Sequence, residues 1–218
     1  PEVDFVDKFD LNISQDLFNR VMNQTNTLDF RADGIEQMDA GGFLNCVDGD
    51  TTHVETKNFG YTIKIRYLSI DTPESTNLIE EWGKTASNFN KSKLQDATEI
   101  YVESNDGKWN LDSTGSRYLG FIWYKTSSSS ELKCLNLEIL QEGLSYAKSL
   151  NDLCYSDIFT KAYSQSNALE LPVFSKAASS WRFDDNTDTL IDGSGFVLGS
   201  TKKNTNVIIG IYFSIYAK

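Results

Sequence analysis

Two short segments hold residues whose types and spacing could do chemistry. The first is an Asp-Gly-Asp-Thr turn at 48–51, and the second runs from an arginine to a glutamate at 66–74. Hard divalent cations such as Ca²⁺ take oxygen ligands, and the planar fork of arginine binds two phosphate oxygens at once. Metal-assisted cleavage of a phosphodiester needs these groups. The two segments supply four carboxylates and one guanidinium: Asp48, Asp50, Arg66, Asp71 and Glu74.

Each segment also has a purely structural explanation. Asp-Gly is a common turn dipeptide, and Asp-Thr-Pro commonly ends a strand. The combination of the two segments, their order and their spacing favour the chemical interpretation.

The elements that would position these segments form a mixed pattern. Five short strands are predicted, with one helix inserted after the third strand and two helices after the fifth. This order is typical of an OB barrel, so we predict an α+β fold with a five-stranded OB barrel and three helices. The predicted strands are 43–47, 52–56, 61–70, 99–103 and 118–124, and the predicted helices are 78–97, 133–148 and 156–169.

Changes in composition and in the pattern of apolar residues divide the chain into three parts. Residues 1–40 read as an acidic N-terminal extension with a helix at 14–24, and residues 41–175 read as the barrel domain. Residues 176–218 read as a β-rich C-terminal extension, in which 196–198 and 207–216 predict a β-hairpin. No apolar run approaches the roughly 20 residues that a membrane-spanning helix needs.

Composition narrows the function classes. The net charge is −11, which disfavours a protein that coats nucleic acid, because affinity for the phosphate backbone comes largely from released counterions. An enzyme that uses a metal and a few arginines remains compatible with this charge. The three cysteines, Cys46, Cys134 and Cys154, form no disulfide framework or metal motif, and we interpret them as buried thiols.

The two motifs resemble the signatures of the staphylococcal-nuclease-like family, which includes the thermonucleases (micrococcal nucleases). In this family an Asp-Gly-Asp-Thr turn is followed by Arg-x-x-x-x-Asp-Thr-Pro-Glu. The similarity continues at Trp82-Gly83 before the first helix, at 112–117, and at 140–144 near the end of the second helix. It covers residues 42–172, which correspond to the predicted barrel domain.

The resemblance implies a calcium-dependent nuclease that hydrolyses phosphodiester bonds of DNA, RNA or both with little sequence preference. It implies that Asp50 and Asp71 bind Ca²⁺ through their carboxylates and that Thr72 binds it through its main-chain carbonyl. Asp48 would lie close behind these ligands.

The resemblance also implies the catalytic roles. Glu74 would position or deprotonate the attacking water. Arg66 and Arg117 would hold the phosphate and stabilise the five-coordinate transition state. These assignments agree with the residue types that the chemistry requires.

The chain departs from the family at the nucleotide pocket. Ser116 is inserted between Gly115 and Arg117, and Ser113-Thr114 stands where relatives have Lys-Tyr. The tyrosines that relatives carry after the second helix are also missing. Tyr118 and Tyr155 are candidate replacements for contacting a base, although each could be an ordinary strand or loop aromatic.

One alternative stays open, a non-catalytic OB module that binds nucleic acid or protein. Degenerate relatives lose the metal carboxylates or the glutamate, whereas this chain keeps them. Because Ca²⁺ is abundant outside cells and relatives are often secreted or surface-attached, we expect an extracellular or cell-surface location.

Overall fold

A computed structural model describes residues 34–129, 132–151, 153–175, 182–184, 189–191 and 197–200. The helix predicted at 14–24 and the strand predicted at 207–216 lie outside these residues. Thirteen strands and three α-helices are assigned within the described part of the chain. The strands are β1 Ile35–Met38, β2 Leu44–Cys46, β3 Thr51–Glu55, β4 Thr62–Tyr67, β5 Ile70–Asp71, β6 Leu78–Glu80, β7 Ala97–Glu103, β8 Tyr118–Thr126, β9 Lys133–Cys134, β10 Tyr146–Ala147, β11 Arg182–Asp184, β12 Thr189–Ile191 and β13 Val197–Ser200. The helices are α1 Gly83–Gln95, α2 Leu135–Gln141 and α3 Ser156–Ala168.

The main sheet closes on itself. Its strand order is β1-β7-β8-β4-β3-β2, with β4 and β8 parallel. Beyond the end of β1, the Asp39 amide donates to the Glu55 carbonyl at 2.8 Å, and the Lys57 amide donates to the Gln37 carbonyl at 3.0 Å. These bonds join β1 to β3 and complete a ring of five strands. The predicted α+β fold with an OB-type barrel is therefore confirmed.

The first strand of the barrel lies inside the region that the sequence pattern assigned to the N-terminal extension. β1 pairs antiparallel with β7, and its residues Ile35 and Met38 are buried in the core. A four-residue strand with acidic and amide side chains between its apolar residues gives only a weak alternating pattern. The barrel domain thus begins before residue 41.

Helix α1 begins later than predicted, because the segment 78–80 is the strand β6 and not a helical turn. Asn77 and Trp82, on either side of β6, have left-handed backbone conformations with φ of 58° and 67°. Such residues interrupt a right-handed helix. Local periodicity could not show β6, because its partner β11 lies about a hundred residues further along the chain.

Helix α2 is shorter than the predicted 133–148. Lys133 and Cys134 instead form β9, which pairs with β8. At its other end the helix stops before Gly143, whose φ is +67°, and the Leu144 amide donates to the Ile139 carbonyl at 3.1 Å. This is the hydrogen bond of a Schellman cap, and it ends the helix before Gly143, short of the end of the predicted range.

The C-terminal strands form a second sheet with β6, in the order β13-β12-β11-β6. The strand predicted at 196–198 corresponds to β13, whereas β11 and β12 were not predicted. The described part of the chain contains no helix long and apolar enough to cross a bilayer. Of the cysteines interpreted as buried, Cys134 is buried and Cys46 is half-buried. For Cys154 the interpretation was wrong, because this thiol is exposed.

Candidate active site

A cleft of about 480 Å³ opens beside the ends of β4 and β5. The loop 112–117 and the segment after β10 complete its walls. The second signature segment supplies Arg66, Asp71 and Glu74 to the lining. The first segment lies behind the lining, where the buried Asp50 contacts Arg66. The charged side chains in the lining are Arg66, Asp71, Glu74, Asp112, Arg117 and Lys148.

Arg66 joins two carboxylates of the site. Its Nη1 donates to Oδ1 of Asp50, and its Nη2 donates to Oδ1 of Asp71. Register explains the first contact, because Arg66 on β4 pairs with Thr51 on β3, next to Asp50. A turn explains the second contact, because Ser69 has a φ of 68° and brings β5 back beside the end of β4.

The carboxylate of Asp50 is buried, with 1% of the residue exposed. Its Oδ2 accepts from the Thr72 amide at 2.9 Å, and its Oδ1 accepts from the Thr51 hydroxyl at 3.2 Å. Burial raises the pKa of Asp50 to about 7, and the nearby negative Asp48 adds to the rise, while Arg66 and the Thr72 amide oppose it. Asp50 is therefore a carboxylate whose charge the surrounding residues only partly compensate.

Asp48 lies beside Asp50 in the same turn. Its Oδ1 accepts from the Asp50 amide at 3.2 Å, and its main-chain carbonyl accepts from the Asn90 side chain of α1 at 2.9 Å. Between them, a Cβ on Gly49 would lie 2.7 Å from Ala86 Cβ and from Thr72 Cγ2. This close approach requires glycine, and it fixes the turn against α1.

A buried network of polar side chains also holds the turn that carries Asp48 and Asp50. The Tyr67 hydroxyl lies 2.8 Å from Asn90 Oδ1 and 2.7 Å from Thr52 Oγ1. Asn90 in turn donates to Thr52 Oγ1 at 3.2 Å. The sequence pattern does not indicate this network, because Asn90 is a polar residue on a helix whose buried face is expected to be apolar.

Glu74 lines the cleft and lies on a tightly held loop. Its main-chain carbonyl accepts from the Glu80 amide at 2.8 Å, and its amide donates to Glu80 Oε2 at 3.2 Å. A Cβ on Gly83 would lie 2.0 Å from the Glu74 carbonyl oxygen, which explains the glycine after Trp82. Burial raises the pKa of Glu74, and the negative charges of Asp48 and Glu80 add to the rise. A raised pKa makes a carboxylate a stronger general base.

Arg117 reaches the cleft despite the inserted Ser116. The insertion is absorbed by a turn in which the Gly115 amide donates to the Asp112 carbonyl at 2.9 Å and the Asp112 amide donates to the Arg117 carbonyl at 2.8 Å. Arg117 Nε and Nη2 contact Asp112 Oδ2 at 2.8 and 2.6 Å. Its Nη1 lies 3.3 Å from Thr51 Oγ1, beside the Asp50 turn.

The donor chemistry of the site fits a hard cation. Asp71 is partly open, with 45% of its side chain exposed, and Asp50 contacts the same guanidinium. Thr72 Oγ1 is buried without a hydrogen-bond partner in the described structure. Within the described ranges, no group of three or more His, Cys, Asp or Glu side chains is arranged to hold a metal ion. The side-chain oxygens that could serve a hard cation are therefore those of two carboxylates, and the other ligands of such a cation would be carbonyl and water oxygens.

Lys148 is a cleft residue that sequence reasoning missed. Its Nζ lies 3.1 Å from Asp71 Oδ1, and 55% of its side chain is exposed. Its amide donates to the Ser69 carbonyl at 3.0 Å, which fixes the segment after β10 beside β5. The sequence carries only a partial signal, because Lys148 lies in the stretch where relatives have tyrosines, but its place beside Asp71 depends on the pairing of β10 with β5.

Neither proposed replacement for the missing tyrosines lines the cleft. The Tyr155 hydroxyl donates to Glu103 Oε2 at 2.9 Å, and its ring packs edge-on against Phe121 and Trp123. Tyr118 packs edge-on against Trp109, with ring centroids 6.0 Å apart. Both rings thus pack against aromatic neighbours within the fold, and neither belongs to the described lining of the cleft. Contact of Tyr118 or Tyr155 with a base stays a prediction.

Comparison with known families agrees with this geometry. Residues 64–169 match the family model described as staphylococcal nuclease homologue. The matched range includes Arg66, Asp71, Glu74 and Arg117, whereas the turn with Asp48 and Asp50 precedes it. The chain therefore contains a domain of the staphylococcal nuclease homologue family, which is a family of nucleases.

Proposed function

We propose that this protein is a calcium-dependent nuclease that hydrolyses phosphodiester bonds of DNA, RNA or both with little sequence preference. One observation carries the proposal: Arg66 joins Asp50 and Asp71 in a cleft that Glu74 and Arg117 also line. The cleft region thus combines three kinds of group: oxygen ligands for a cation, a carboxylate that can act as a base, and two guanidinium groups that can bind phosphate.

Asp50 and Asp71 are the side chains that would hold the metal, with the carbonyl of Thr72 as the third protein ligand that the resemblance implies. When bound, Ca²⁺ supplies the positive charge that neutralises the phosphate and makes a bound water more acidic. In the metal-free protein, Arg66 partly balances the charge of the two carboxylates. The same guanidinium is therefore in position to change partners when substrate binds.

Arg66 and Arg117 approach the cleft from different elements. When substrate binds, Arg66 exchanges its carboxylate partners for nonbridging phosphate oxygens. Arg117 is held differently, because Asp112 contacts two of its guanidinium nitrogens and the third, Nη1, lies beside Thr51. Two guanidinium groups directed at the equatorial oxygens stabilise the charge that develops in the transition state. Because Asp112 already orients Arg117, this guanidinium needs little reorganisation during the reaction.

Glu74 takes the proton of the attacking water. Burial and the negative charges of Asp48 and Glu80 raise the pKa of Glu74, which makes its carboxylate a stronger base. Its backbone is fixed on both sides by Glu80, so the carboxylate remains near the phosphate-binding arginines.

The lining of the cleft supports low sequence preference. Among the residues that line it, Tyr67 is the aromatic one, and it is buried with its hydroxyl bonded to Thr52 and Asn90. Stacking on an exposed aromatic ring stabilises a bound base by about 1–3 kcal/mol, and this cleft offers no such ring in its described lining. Binding therefore rests on the sugar-phosphate backbone. We also propose that the protein works outside the cell or on its surface, where Ca²⁺ is abundant.

The test is a cleavage assay on single-stranded DNA, double-stranded DNA and RNA, each with Ca²⁺ and with a chelator. We expect cleavage of at least one substrate with Ca²⁺ and none with the chelator. Binding of nucleic acid without cleavage under any condition would instead support a non-catalytic OB module. Glu74→Gln is the matched negative control, because it removes the base and keeps the size of the side chain.

A further inference from the structure

The strand β6 lies between the candidate base and the C-terminal strands. On one side, the Glu80 amide of β6 donates to the Glu74 carbonyl at 2.8 Å. On the other side, β6 pairs antiparallel with β11, with Glu80 opposite Arg182, Ile79 opposite Phe183 and Leu78 opposite Asp184. The main chain of Glu74 is thus linked to β11 through a single three-residue strand.

The alternation of an antiparallel ladder identifies the bond that matters most. Because the Glu80 amide is directed at Glu74, the main-chain groups of Ile79 face the other way, towards β11. Ile79 and Phe183 are therefore the hydrogen-bonded pair of this short ladder. The neighbouring residues of β11 direct their main-chain groups towards β12.

The loop that carries Glu74 does not favour this conformation by itself. Asn77 and Trp82, at the two ends of β6, are non-glycine residues with φ of 58° and 67°, and such conformations cost free energy that other contacts must offset. An isolated three-residue strand is also too short to be stable without a partner. β11 supplies that partner.

We propose that β11 is a positioning element of the active site, which holds the Glu74 loop in its reactive place by pairing with β6. This inference rests on the proposed nuclease function and gives residues 182–184 a role in it. Glu74 would touch the attacking water, whereas β11 acts only through the backbone of the loop.

Substitutions in the full-length chain test the proposal. Phe183→Pro removes the β11 amide that faces β6, and Phe183→Gly weakens the same strand more mildly. Val197→Pro is the matched control, because β13 pairs with β12 and not with β6. Hydrogen exchange is measured at the amides of residues 79 and 80, with β4 and β8 as the reference strands. Separately, kcat and KM are measured with single-stranded DNA.

We expect exchange at residues 79 and 80 to rise about tenfold or more in Phe183→Pro and less in Phe183→Gly, with β4 and β8 unchanged. We expect kcat to fall about tenfold with KM within about twofold, because a misplaced base affects the chemical step. Unchanged exchange at these amides in Phe183→Pro, or equal effects of Val197→Pro, would overturn the inference.

If Phe183→Pro also raises exchange in β4 and β8, Phe183→Gly decides the question by the same criteria. The exchange measurement needs no substrate, so it tests the link between β11 and the Glu74 loop even if the wild-type protein cleaves nothing. In that case the missing activity contradicts the proposed nuclease, while the exchange result still supports or overturns this link.

Discussion

Asp50 and Arg66 form an ion pair in which the carboxylate is almost completely buried, with side-chain exposures of 1% and 14%. Even so, the pKa of Asp50 is raised to about 7, because burial outweighs the attraction of Arg66. The ionised carboxylate is thus unfavourable in the metal-free fold, as a site that awaits a cation would require.

The stability of the metal-free protein should decrease as pH rises. The folded-state pKa of about 7 lies above the ordinary value of 3.8, so between these values the folded protein holds a proton that the unfolded chain has lost. Stability therefore falls as pH rises through this window and levels off above it. We expect the Tm with chelator to fall by about 5 °C between about pH 5 and pH 8.

Two comparisons check this assignment. Asp50→Asn should lose much of the pH dependence, and the gain in Tm from Ca²⁺ should grow with pH in the wild-type protein, because cation and proton compete for one carboxylate. A Tm with chelator that rises between about pH 5 and pH 8 would show that Asp50 is a stabilising anion instead.

Arg66→Ala and Glu74→Gln should each lower kcat by about a hundredfold or more with a small change in KM, because both groups act in the transition state. Lys125→Ala is the matched control, since Lys125 pairs with Glu99 outside the cleft. Arg66→Ala should in addition lower the Tm with chelator by several degrees, because it leaves Asp50 buried without its partner. A raised KM with unchanged kcat would assign these residues to ground-state binding.

Asp112→Asn should reduce kcat by weakening the hold on Arg117. Burial alone would raise the pKa of Asp112, but hydrogen bonds from Thr114 and Arg117 outweigh it and hold this pKa at about 2. Asp112 is therefore an anion throughout the working pH range. With a neutral amide in its place we expect kcat to fall about tenfold, because the guanidinium is less well oriented. If Arg117→Ala has no effect on kcat, the inserted Ser116 has removed this arginine from the reaction.

Lys148→Ala should raise KM and leave kcat nearly unchanged, because we expect this exposed cleft lysine to bind a phosphate of the substrate without stabilising transition-state charge. The slope of log KM against log salt concentration should become shallower by about 0.7 to 0.9, since the variant neutralises one phosphate fewer. Lys161→Ala, on the exposed face of α3, is the matched control. An unchanged salt slope in Lys148→Ala would assign Lys148 to its pair with Asp71 alone.

The candidate site could be predicted from the sequence because its residues lie at strand ends and turns with distinctive local patterns. Asp50 precedes β3 and Asp71 ends β5, and the register of β3 and β4 brings Asp50 beside Arg66. Such a short-range arrangement is visible in spacing alone. Lys148 was missed because its place beside Asp71 depends on the pairing of β10 with β5, which joins two distant parts of the chain.

The fold was predictable where the pattern is local and was not where pairing is distant. Ile63, Ile65 and Tyr67 alternate inward on β4, which identified that strand. The three residues of β6 fit a helical pattern in the sequence, but they form a strand because they pair with β11. Tyr155 likewise resembles an ordinary loop aromatic in the sequence, whereas in the structure its hydroxyl bonds Glu103. In both cases a long-range partner, absent from any local window, decides the outcome.

The most direct test of the account is the rate of single-stranded DNA cleavage as Ca²⁺ is added to chelated wild-type protein and to Asp71→Asn. Asp71 is the exposed partner of the Arg66 bridge, so its replacement removes a proposed ligand with less disturbance of the buried turn than a change at Asp50. We predict a rate that rises from zero and saturates with Ca²⁺ in the wild type, and a rate lower by about a hundredfold or more in Asp71→Asn. Cleavage that is equally fast with chelator, or that is unchanged in Asp71→Asn, would contradict the proposed calcium-dependent site.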